Sequence, residues 1–463
     1  MNRVPFSRVA VLAIAVAFVY MLSPLTVWFA LAVVPAVFYG TRGLDRDDRR
    51  RVITLVTAAI VLRLLVIAGL FLFTDHQSTA FGSFFGDEDY LIRRSLWLRN
   101  VALGRPVHAI DLEYAFEPYA RTSHLYLLAV VQALVGPSPY GLRLLGVLFY
   151  VIAALLLYRV ARTGLGRFPA LFGLTVLLFL PSLFAWSVSV LKDPLFVLIN
   201  ALGLVAAVGA ANATSWRARV AAVAAMLALA AILQTVRLAG AVFALLGAGG
   251  GLAIAFAAAR PKLLLAAAVA APLLLALVFR SPEVQLRTYA AIQSTARQHW
   301  GAAVVSRGHS YHLLDARFYP DVNELSDLRL GETLRYAVRS AAAFLAVPLP
   351  WNARSRSAVA YLPEQVVWYV LVVLSVPGVV FSFRRNAVVT GLLLAHALLL
   401  SAAVAFTDGN VGTLVRHRGL TLPYLVWLSG VGACELLAAL SHESPPDVVP
   451  RALRVPRLKW SSS

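Results

Sequence analysis

Long apolar runs, each of roughly 17 to 23 residues, recur along the whole chain and limit its fold more than any other feature. A helix of that length crosses the hydrocarbon core of a bilayer, which is about 30 Å thick. With 60% hydrophobic and only 14% charged residues, the composition excludes an ordinary soluble globular protein. The sequence therefore predicts an all-α polytopic membrane protein.

Short arginine-rich stretches separate alternate apolar runs, as at Arg159 and Arg162 or at Arg384 and Arg385. The positive-inside rule places such stretches in the cytoplasm. The resulting topology has about twelve transmembrane helices with both chain ends inside, and two large outer-face loops at residues 74–139 and 280–362. The net charge of +19 favours anionic lipid or an anionic substrate as partner, and we expect no nucleic acid.

The pattern divides the chain into five segments. The first outer loop lies within the second segment, and its apolar spacing predicts an amphipathic surface helix over 90–103 and a short interface helix over 125–135. The five segments are an N-terminal hairpin (9–21 and 25–39, broken at Ser23-Pro24) with a basic loop up to Arg51, in 1–51; a transmembrane core, 52–279; an outer-face lobe packed by Trp300, Tyr311, Phe318 and Tyr319, 280–362; C-terminal transmembrane helices, 363–440; and a basic cytoplasmic tail, 441–463.

Acidic residues gather where two of the predicted helices meet the outer face. Asp87, Glu88 and Asp89 are consecutive and follow the run 52–73, and Asp193 follows Lys192 before another run. Charge beside a bilayer is costly and indicates function. One carboxylate can accept a proton from a hydroxyl, while others orient that hydroxyl or bind a divalent cation such as magnesium or manganese. The alternatives are a helix cap, which suits Asp89 best, and a self-neutralised Lys192-Asp193 pair.

Arginines at the predicted outer ends of helices are the candidate phosphate ligands. Arg237 follows one run, and Arg416, His417 and Arg418 lie in the predicted outer turn 407–418. Guanidinium groups suit phosphate oxygens, although such side chains also extend toward lipid headgroups. The histidines lack the spacing of a zinc site, and no nucleotide-binding glycine motif is present.

The combined pattern over residues 52–260 resembles the GT-C fold glycosyltransferases, the class of the protein O-mannosyltransferases and the lipid A aminoarabinose transferases. An acidic pair followed by tyrosine is matched by Asp87, Glu88 and Tyr90, and the arginine that opens a span is matched by Arg143. Other matches are Ala133-Leu134-Val135-Gly136 and Val190-Leu191-Lys192-Asp193-Pro194-Leu195-Phe196. The chain departs from the pattern in an early Tyr90, in Lys192 beside the second acid, and in the additional N-terminal hairpin.

The resemblance implies a GT-C-like helical bundle in the cytoplasmic or inner membrane, with its active site facing outside. The implied reaction belongs to glycan biosynthesis of the cell envelope. It moves a sugar from a polyprenyl-phosphate donor to a hydroxyl of a lipid, glycan or protein acceptor, with inversion. Asp87 would be the base, Glu88 and Asp193 would orient the acceptor, and Asp87 and Asp193 could share the cation. Substrate-binding residues would be Tyr90, Lys192, Arg237, Arg416 and Arg418.

Two other functions stay open at this point. A polysaccharide polymerase or ligase with lipid-pyrophosphate donors would depend on the arginines more than on the acids. A transporter would concentrate charge near the membrane midplane between broken helices, whereas the charges here gather at one predicted face.

Overall fold

The computed structural model describes residues 23–77, 81–306, 310–352 and 356–441, and within them the chain is built of α-helices, a few short 3-10 turns and one isolated bridge between Ser310 and Asn410. The predicted helix 9–21 and the basic tail from residue 442 lie outside the described residues. The helices are α1 (Pro24–Thr41), α2 (Arg46–Phe73), α3 (Gly86–Ala102), α4 (Ala109–Phe116), α5 (Ser123–Val135), α6 (Leu142–Gly164), α7 (Arg167–Phe179), α8 (Pro181–Ser187), α9 (Asp193–Asn212), α10 (Trp216–Val236), α11 (Gly240–Ala258), α12 (Pro261–Val278), α13 (Pro282–Val305), α14 (Leu330–Ala346), α15 (Arg356–Arg385), α16 (Ala387–Thr407) and α17 (Val411–Ser441).

Nine helices in the described part of the chain are long and apolar enough to cross a membrane, or up to ten if the bent pair α7 and α8 forms one span. They are α1, α2, α6, α9, α10, α11, the part of α15 from Val359, α16 and α17. The protein is therefore a multi-pass integral membrane protein with an all-helical architecture. The predicted total of about twelve spans and the assignment of sides stay predictions.

The basic loop predicted before the span 52–73 is wrong in part, because α2 begins at Arg46 and not at Val52. Asp45 caps this helix by accepting a hydrogen bond from the main-chain N–H of Asp48 at 2.8 Å. Asp47 and Asp48 lie in the first turn, where negative charge is favoured, and they partly offset the arginines that follow. The helix therefore begins within the arginine-rich stretch, before the apolar run starts.

The span predicted over 168–186 is not one straight helix, since α7 and α8 meet at a 64° bend where Pro181 begins α8. Arg63 of α2 is fully buried and donates to Leu178 O at 3.0 Å and to Ser187 Oγ at 2.7 Å. Broken backbone at membrane depth needs such internal partners, because lipid offers none. The buried guanidinium is therefore part of what holds the bend.

The outer turn predicted over 407–418 is shorter than expected, because α17 begins at Val411. The Asn410 side chain accepts hydrogen bonds from the main-chain N–H groups of Gly412 at 2.7 Å and Thr413 at 3.2 Å. An asparagine cap of this kind starts a helix as soon as the preceding one ends. Arg416, His417 and Arg418 consequently lie on a helix rather than in a loop.

The chain divides into two compact units, each assembled from separate stretches of sequence; the predicted five-segment division stays a prediction. Of the described residues, unit 1 comprises those up to Arg159, Leu174–Ala206 and Ala221–Val242. In it, α3 begins four residues before the predicted start, α5 begins at Ser123, and the short helix α4 was not predicted. These helices pack around an apolar cluster of Leu91, Leu98, Ala115, Leu125, Ala129 and Leu191.

Of the described residues, unit 2 comprises Val160–Gly173, Ala207–Val220 and those from Phe243 onward. Its non-spanning part, here called the lobe, contains α13, α14 and the turns between them. The lobe core is Ala296, Leu313, Leu314, Phe318, Leu325, Leu328 and Tyr336. Trp300, Tyr311 and Tyr319 pack against this core, so all four aromatic residues assigned to this segment from the sequence contribute to its packing.

Two glycines set the close approach of α15 and α17 in unit 2. A Cβ on Gly378 would lie 2.0 Å from Leu428 O, and one on Gly432 would lie 1.9 Å from Leu374 O. Small residues let membrane helices pack backbone against backbone, which replaces the hydrophobic effect as the source of their association. Side chains larger than a hydrogen atom are therefore excluded at both positions.

We expect Gly432→Ala to lower the unfolding midpoint of the detergent-solubilised protein, with a loss of about 1 to 3 kcal/mol from overpacking. Gly249→Ala is the control, because a Cβ there meets nothing within 4 Å. Thermal unfolding followed by size-exclusion chromatography measures both. Equal midpoints for the two variants would contradict the close approach of α15 and α17.

Candidate active site

Glu88 fixes the start of α3, the helix on which Asp87 lies. The Glu88 side chain accepts hydrogen bonds from the main-chain N–H groups of Phe84 and Phe85, both at 3.1 Å. The cap predicted for Asp89 is therefore supplied by Glu88, while Asp89 pairs with Arg93 one turn later at 2.8 Å. Asp87 lies in the first turn with its side chain exposed.

The other carboxylate oxygen of Glu88 accepts a hydrogen bond from Arg143 at 2.5 Å, and both side chains are fully buried. Arg143 lies at the start of α6 and also donates to Val188 O at 3.1 Å and to Gly82 O. Burial raises the pKa of Glu88, and Arg143 with main-chain N–H groups opposes that rise. A fully buried carboxylate with both oxygens engaged positions its surroundings and does not reach an acceptor directly, in contrast to the role predicted for Glu88.

The segment between α8 and α9 is tied to the same ion pair. Besides the Arg143 contact to Val188, a main-chain hydrogen bond from Val190 reaches Glu88. His124 of α5 donates from Nε2 to Val190 O at 2.9 Å, since a carbonyl oxygen can only accept. Burial lowers the pKa of His124. Three side chains from α3, α5 and α6 thus hold the short segment that leads into Asp193.

Asp193 begins α9 and forms an ion pair with Arg237, which follows α10. Arg237 donates to a carboxylate oxygen of Asp193 at 3.1 Å, and its guanidinium lies over the Phe196 ring at 5.4 Å. Asp193 is buried, whereas the Arg237 side chain keeps 22% of its surface exposed. Lys192 is half-buried beside them. The arginine that the sequence proposed as a phosphate ligand is therefore held by the second acid.

These contacts bring the acidic ends of two helices together at one end of unit 1. Gly82 follows α2, Arg143 opens α6, Val188 follows α8, Asp193 opens α9 and Arg237 follows α10. Successive helices that alternate in direction bring the end of one and the start of the next to the same end of the bundle. The sequence predicts this arrangement for the turns that carry Asp87 and Asp193. Glu88 belongs to the turn of Asp87, and Val190 to the segment of Asp193.

Tyr90, predicted to bind substrate, contacts protein groups of the first loop. Its hydroxyl donates to a carboxylate oxygen of Glu117, and the Arg94 guanidinium lies 5.0 Å from its ring centroid. Arg94 in turn donates to Glu117 O at 2.6 Å and fastens the end of α4 to α3. Tyr90 is thus part of the contact between the loop helices.

Arg418, in unit 2, is buried and bonded to the protein. Its guanidinium donates to Phe344 O at 2.9 Å and to Gln365 Oε1 at 2.7 Å, and it lies 4.9 Å from the Trp368 ring centroid. Carbonyl oxygens at the end of a helix lack hydrogen-bond donors within that helix. Arg418 donates these hydrogen bonds at the end of α14. This arrangement favours a structural task for Arg418 over the predicted phosphate contact.

Arg416 lies next to an Asp–His pair that the sequence did not predict. The Asp408 carboxylate receives a hydrogen bond from His417 Nδ1 at 3.0 Å, and Arg416 lies 3.5 Å from His417 Nε2. His299 Nδ1 and the Tyr311 hydroxyl both donate to Asp408 O, at 2.7 and 2.8 Å. The lobe therefore anchors the turn before α17, and the phosphate-binding role of Arg416 stays a prediction.

The side chains in unit 1 do not fit a divalent cation well. Among the described residues, no group of three or more histidine, cysteine, aspartate or glutamate side chains could hold a metal ion. Glu88 and Asp193 each already face a guanidinium. Cations of this kind need several oxygen ligands, and the magnesium or manganese ion predicted at Asp87 and Asp193 stays a prediction.

Several residues of this end of unit 1 were missed from the sequence. His124 was dismissed because it lacks metal-ligand spacing, and the partners of Arg143 could not be foreseen. The available signal for Arg63 was a single arginine inside an apolar run, which is rare because membrane-embedded charge is costly. No sequence signal joins His124 to Val190, since the contact depends on tertiary packing.

Comparison with known proteins adds no relative: no family model, curated protein or solved structure matches the chain. The GT-C resemblance therefore depends only on the residues that suggested it.

We expect Glu88→Gln to destabilise unit 1 strongly, because it leaves Arg143 buried without its counter-charge, at a cost of roughly 3 to 5 kcal/mol. The control is Asp89→Asn, whose surface pair with Arg93 contributes about 0.5 kcal/mol or less. The double variant Glu88→Gln/Arg143→Met should recover part of the loss, since no unpaired charge remains. Unfolding midpoints measure all three. Similar decreases in midpoint for Glu88→Gln and Asp89→Asn would contradict the buried Glu88–Arg143 ion pair.

Proposed function

We propose that the protein is a GT-C type membrane glycosyltransferase that moves a sugar from a polyprenyl-phosphate donor to a hydroxyl acceptor on the outer face of the membrane. The observation that supports this most is the set of polar contacts that Glu88, Arg143 and His124 make with the segment leading into Asp193. Glu88 belongs to the same turn as Asp87, so these contacts hold the two acidic segments together. An enzyme of this kind needs a base and a phosphate ligand near one membrane surface. The buried Glu88–Arg143 ion pair, which fixes the turn that carries the exposed Asp87, suits that requirement.

Asp87 is the proposed general base. It is exposed, it directly precedes the buried Glu88 on the same helical turn, and it lies outside the apolar spans. In the proposed step the acceptor oxygen attacks the anomeric carbon while Asp87 takes the hydroxyl proton. The bond between that carbon and the phosphate oxygen breaks, and the lipid phosphate leaves. A single displacement of this type inverts the anomeric configuration.

Arg237 is the proposed ligand of the leaving phosphate within unit 1. Its partly exposed guanidinium has further N–H groups beyond the one that contacts Asp193. Asp193 then acts as a positioning residue that fixes the orientation of Arg237, and Glu88 acts in the same way on Asp87. Fixed guanidinium groups stabilise charge that develops on a departing phosphate without reorganisation during the step.

We expect Asp87→Asn to lower sugar transfer by about 10² to 10⁴-fold, the usual contribution of a general base, with little change in the unfolding midpoint. The assay incubates the purified protein with radiolabelled polyprenyl-phosphate sugars and membrane extracts, and follows the label into product. Asp89→Asn is the matched control on the same turn and should retain transfer. Unchanged transfer by Asp87→Asn would remove Asp87 from the reaction.

The same assay separates the competing functions. Transfer only from lipid-pyrophosphate donors, lost on replacement of Arg416 but retained in Asp87→Asn, would favour the polymerase or ligase. Passage of label across proteoliposome membranes without covalent product would favour a transporter. Absence of transfer from every donor would refute the proposal.

A second variant tests the role of Arg237. Arg237→Gln should weaken donor binding, so KM for the polyprenyl-phosphate sugar rises because a charge-assisted contact to phosphate is lost. Arg217→Gln is the control, because it removes an arginine at the opposite end of α10 from Arg237 and Asp193. An unchanged KM in Arg237→Gln would assign the phosphate contact elsewhere.

A further inference from the structure

The lobe helix α14 has three distinct faces. One face is buried against the rest of unit 2 and consists of Thr333, Tyr336, Ser340 and Phe344. Glu332, Arg335 and Arg339 form a charged edge and pair with Arg317 or Asp315 at 2.5 to 2.9 Å. Between these faces runs an exposed apolar stripe, defined here as Leu330, Leu334, Val338 and Leu345, whose exposed fractions are 61%, 58%, 69% and 46%.

The stripe is continuous and follows the helical repeat. Its first three members are four residues apart, so they stack on one side of the helix. From Leu330 to Leu345 the stripe extends about 22 Å at 1.5 Å per residue. An apolar surface of this length on a polar outer segment is unexpected for a lobe surrounded only by water.

The C-terminal end of α14 is fastened to the beginning of a membrane-spanning helix of the same unit. Trp368 Nε1 donates to Leu345 O at 3.0 Å, and the Tyr369 hydroxyl donates to Ala346 O at 2.6 Å. Both aromatic residues lie in the first half of the candidate span Val359–Arg385. Tryptophan and tyrosine are enriched where spans cross the membrane–water boundary.

The same stretch of α15 also presents apolar side chains outward. Val366, Val370 and Val373 are exposed one turn apart, and Val366 lies beside the residues that bind the end of α14. On a spanning helix such a surface faces lipid. The stripe of α14 therefore ends at the depth where the lipid-facing surface of α15 begins.

We propose that α14 is an interfacial helix whose apolar stripe inserts into the boundary between lipid headgroups and acyl chains. The charged edge suits this placement, since Arg335 and Arg339 border the stripe and can face anionic headgroups. Membrane lipid is thus the occupant of this surface, rather than a second copy of the chain or another protein. The inference is independent of the proposed glycosyltransferase activity.

The test is site-directed fluorescence in vesicles. Val338→Cys and Leu334→Cys, each in a Cys434→Ser background, are labelled with an environment-sensitive dye and reconstituted with acyl-brominated phosphatidylcholine. Asn323→Cys, on the exposed 3-10 turn Val322–Asp327 of the same lobe, is the matched aqueous control. Val373→Cys on α15 is the control for lipid contact.

We expect the dye at positions 334 and 338 to emit at shorter wavelength than at 323, and to be quenched several-fold more by the brominated lipid. Unfolding midpoints close to that of the Cys434→Ser protein show that the labelled variants are folded. Quenching at 338 no greater than at 323 would overturn the proposal. Disulfide cross-linking between two Val338→Cys copies in vesicles, without lipid quenching, would overturn it in favour of a second copy of the chain.

Discussion

The buried pair of Glu88 and Arg143 is the contact on which the polar end of unit 1 depends. Two opposite charges without solvent access are tolerable only when each also has hydrogen-bond partners. Glu88 meets this condition by capping α3, and Arg143 meets it through the carbonyl oxygens of Val188 and Gly82. The pair therefore joins a helix start, a span and an irregular segment that are far apart in the sequence.

The same principle recurs wherever the chain departs from regular helix. Arg63 satisfies the oxygens at the bend between α7 and α8, and Arg418 satisfies those at the end of α14. Buried guanidinium groups suit these places because each offers five N–H donors to carbonyl groups that lipid cannot satisfy. These two buried arginines thus stabilise interrupted helices and are not left to bind anionic ligands.

The same division separates the charged residues that were candidates for chemistry. Arginines and acids at helix ends were all candidates for chemistry when only the sequence was considered. Burial separates them: Glu88 and Arg418 are enclosed by protein oxygens and N–H groups, whereas Asp87 is exposed and Arg237 is partly exposed. The proposed transferase mechanism accordingly gives the reaction to exposed groups and positioning to buried ones.

The sequence alone determined the all-helical, multi-pass class. The length of each apolar run and the spacing of charge are local properties, and they decide which segments can cross a bilayer. It also indicated that the turns bearing Asp87 and Asp193 belong at one end of the bundle, since alternating spans impose that order. It did not determine where helices begin or bend: Asp45 and Asn410 extend α2 and α17 through side-chain caps, and Pro181 breaks a span whose bend Arg63 stabilises. Only the tertiary structure decided which charged residues are enclosed, because burial depends on partners such as Val190 and Phe344 that are distant in sequence.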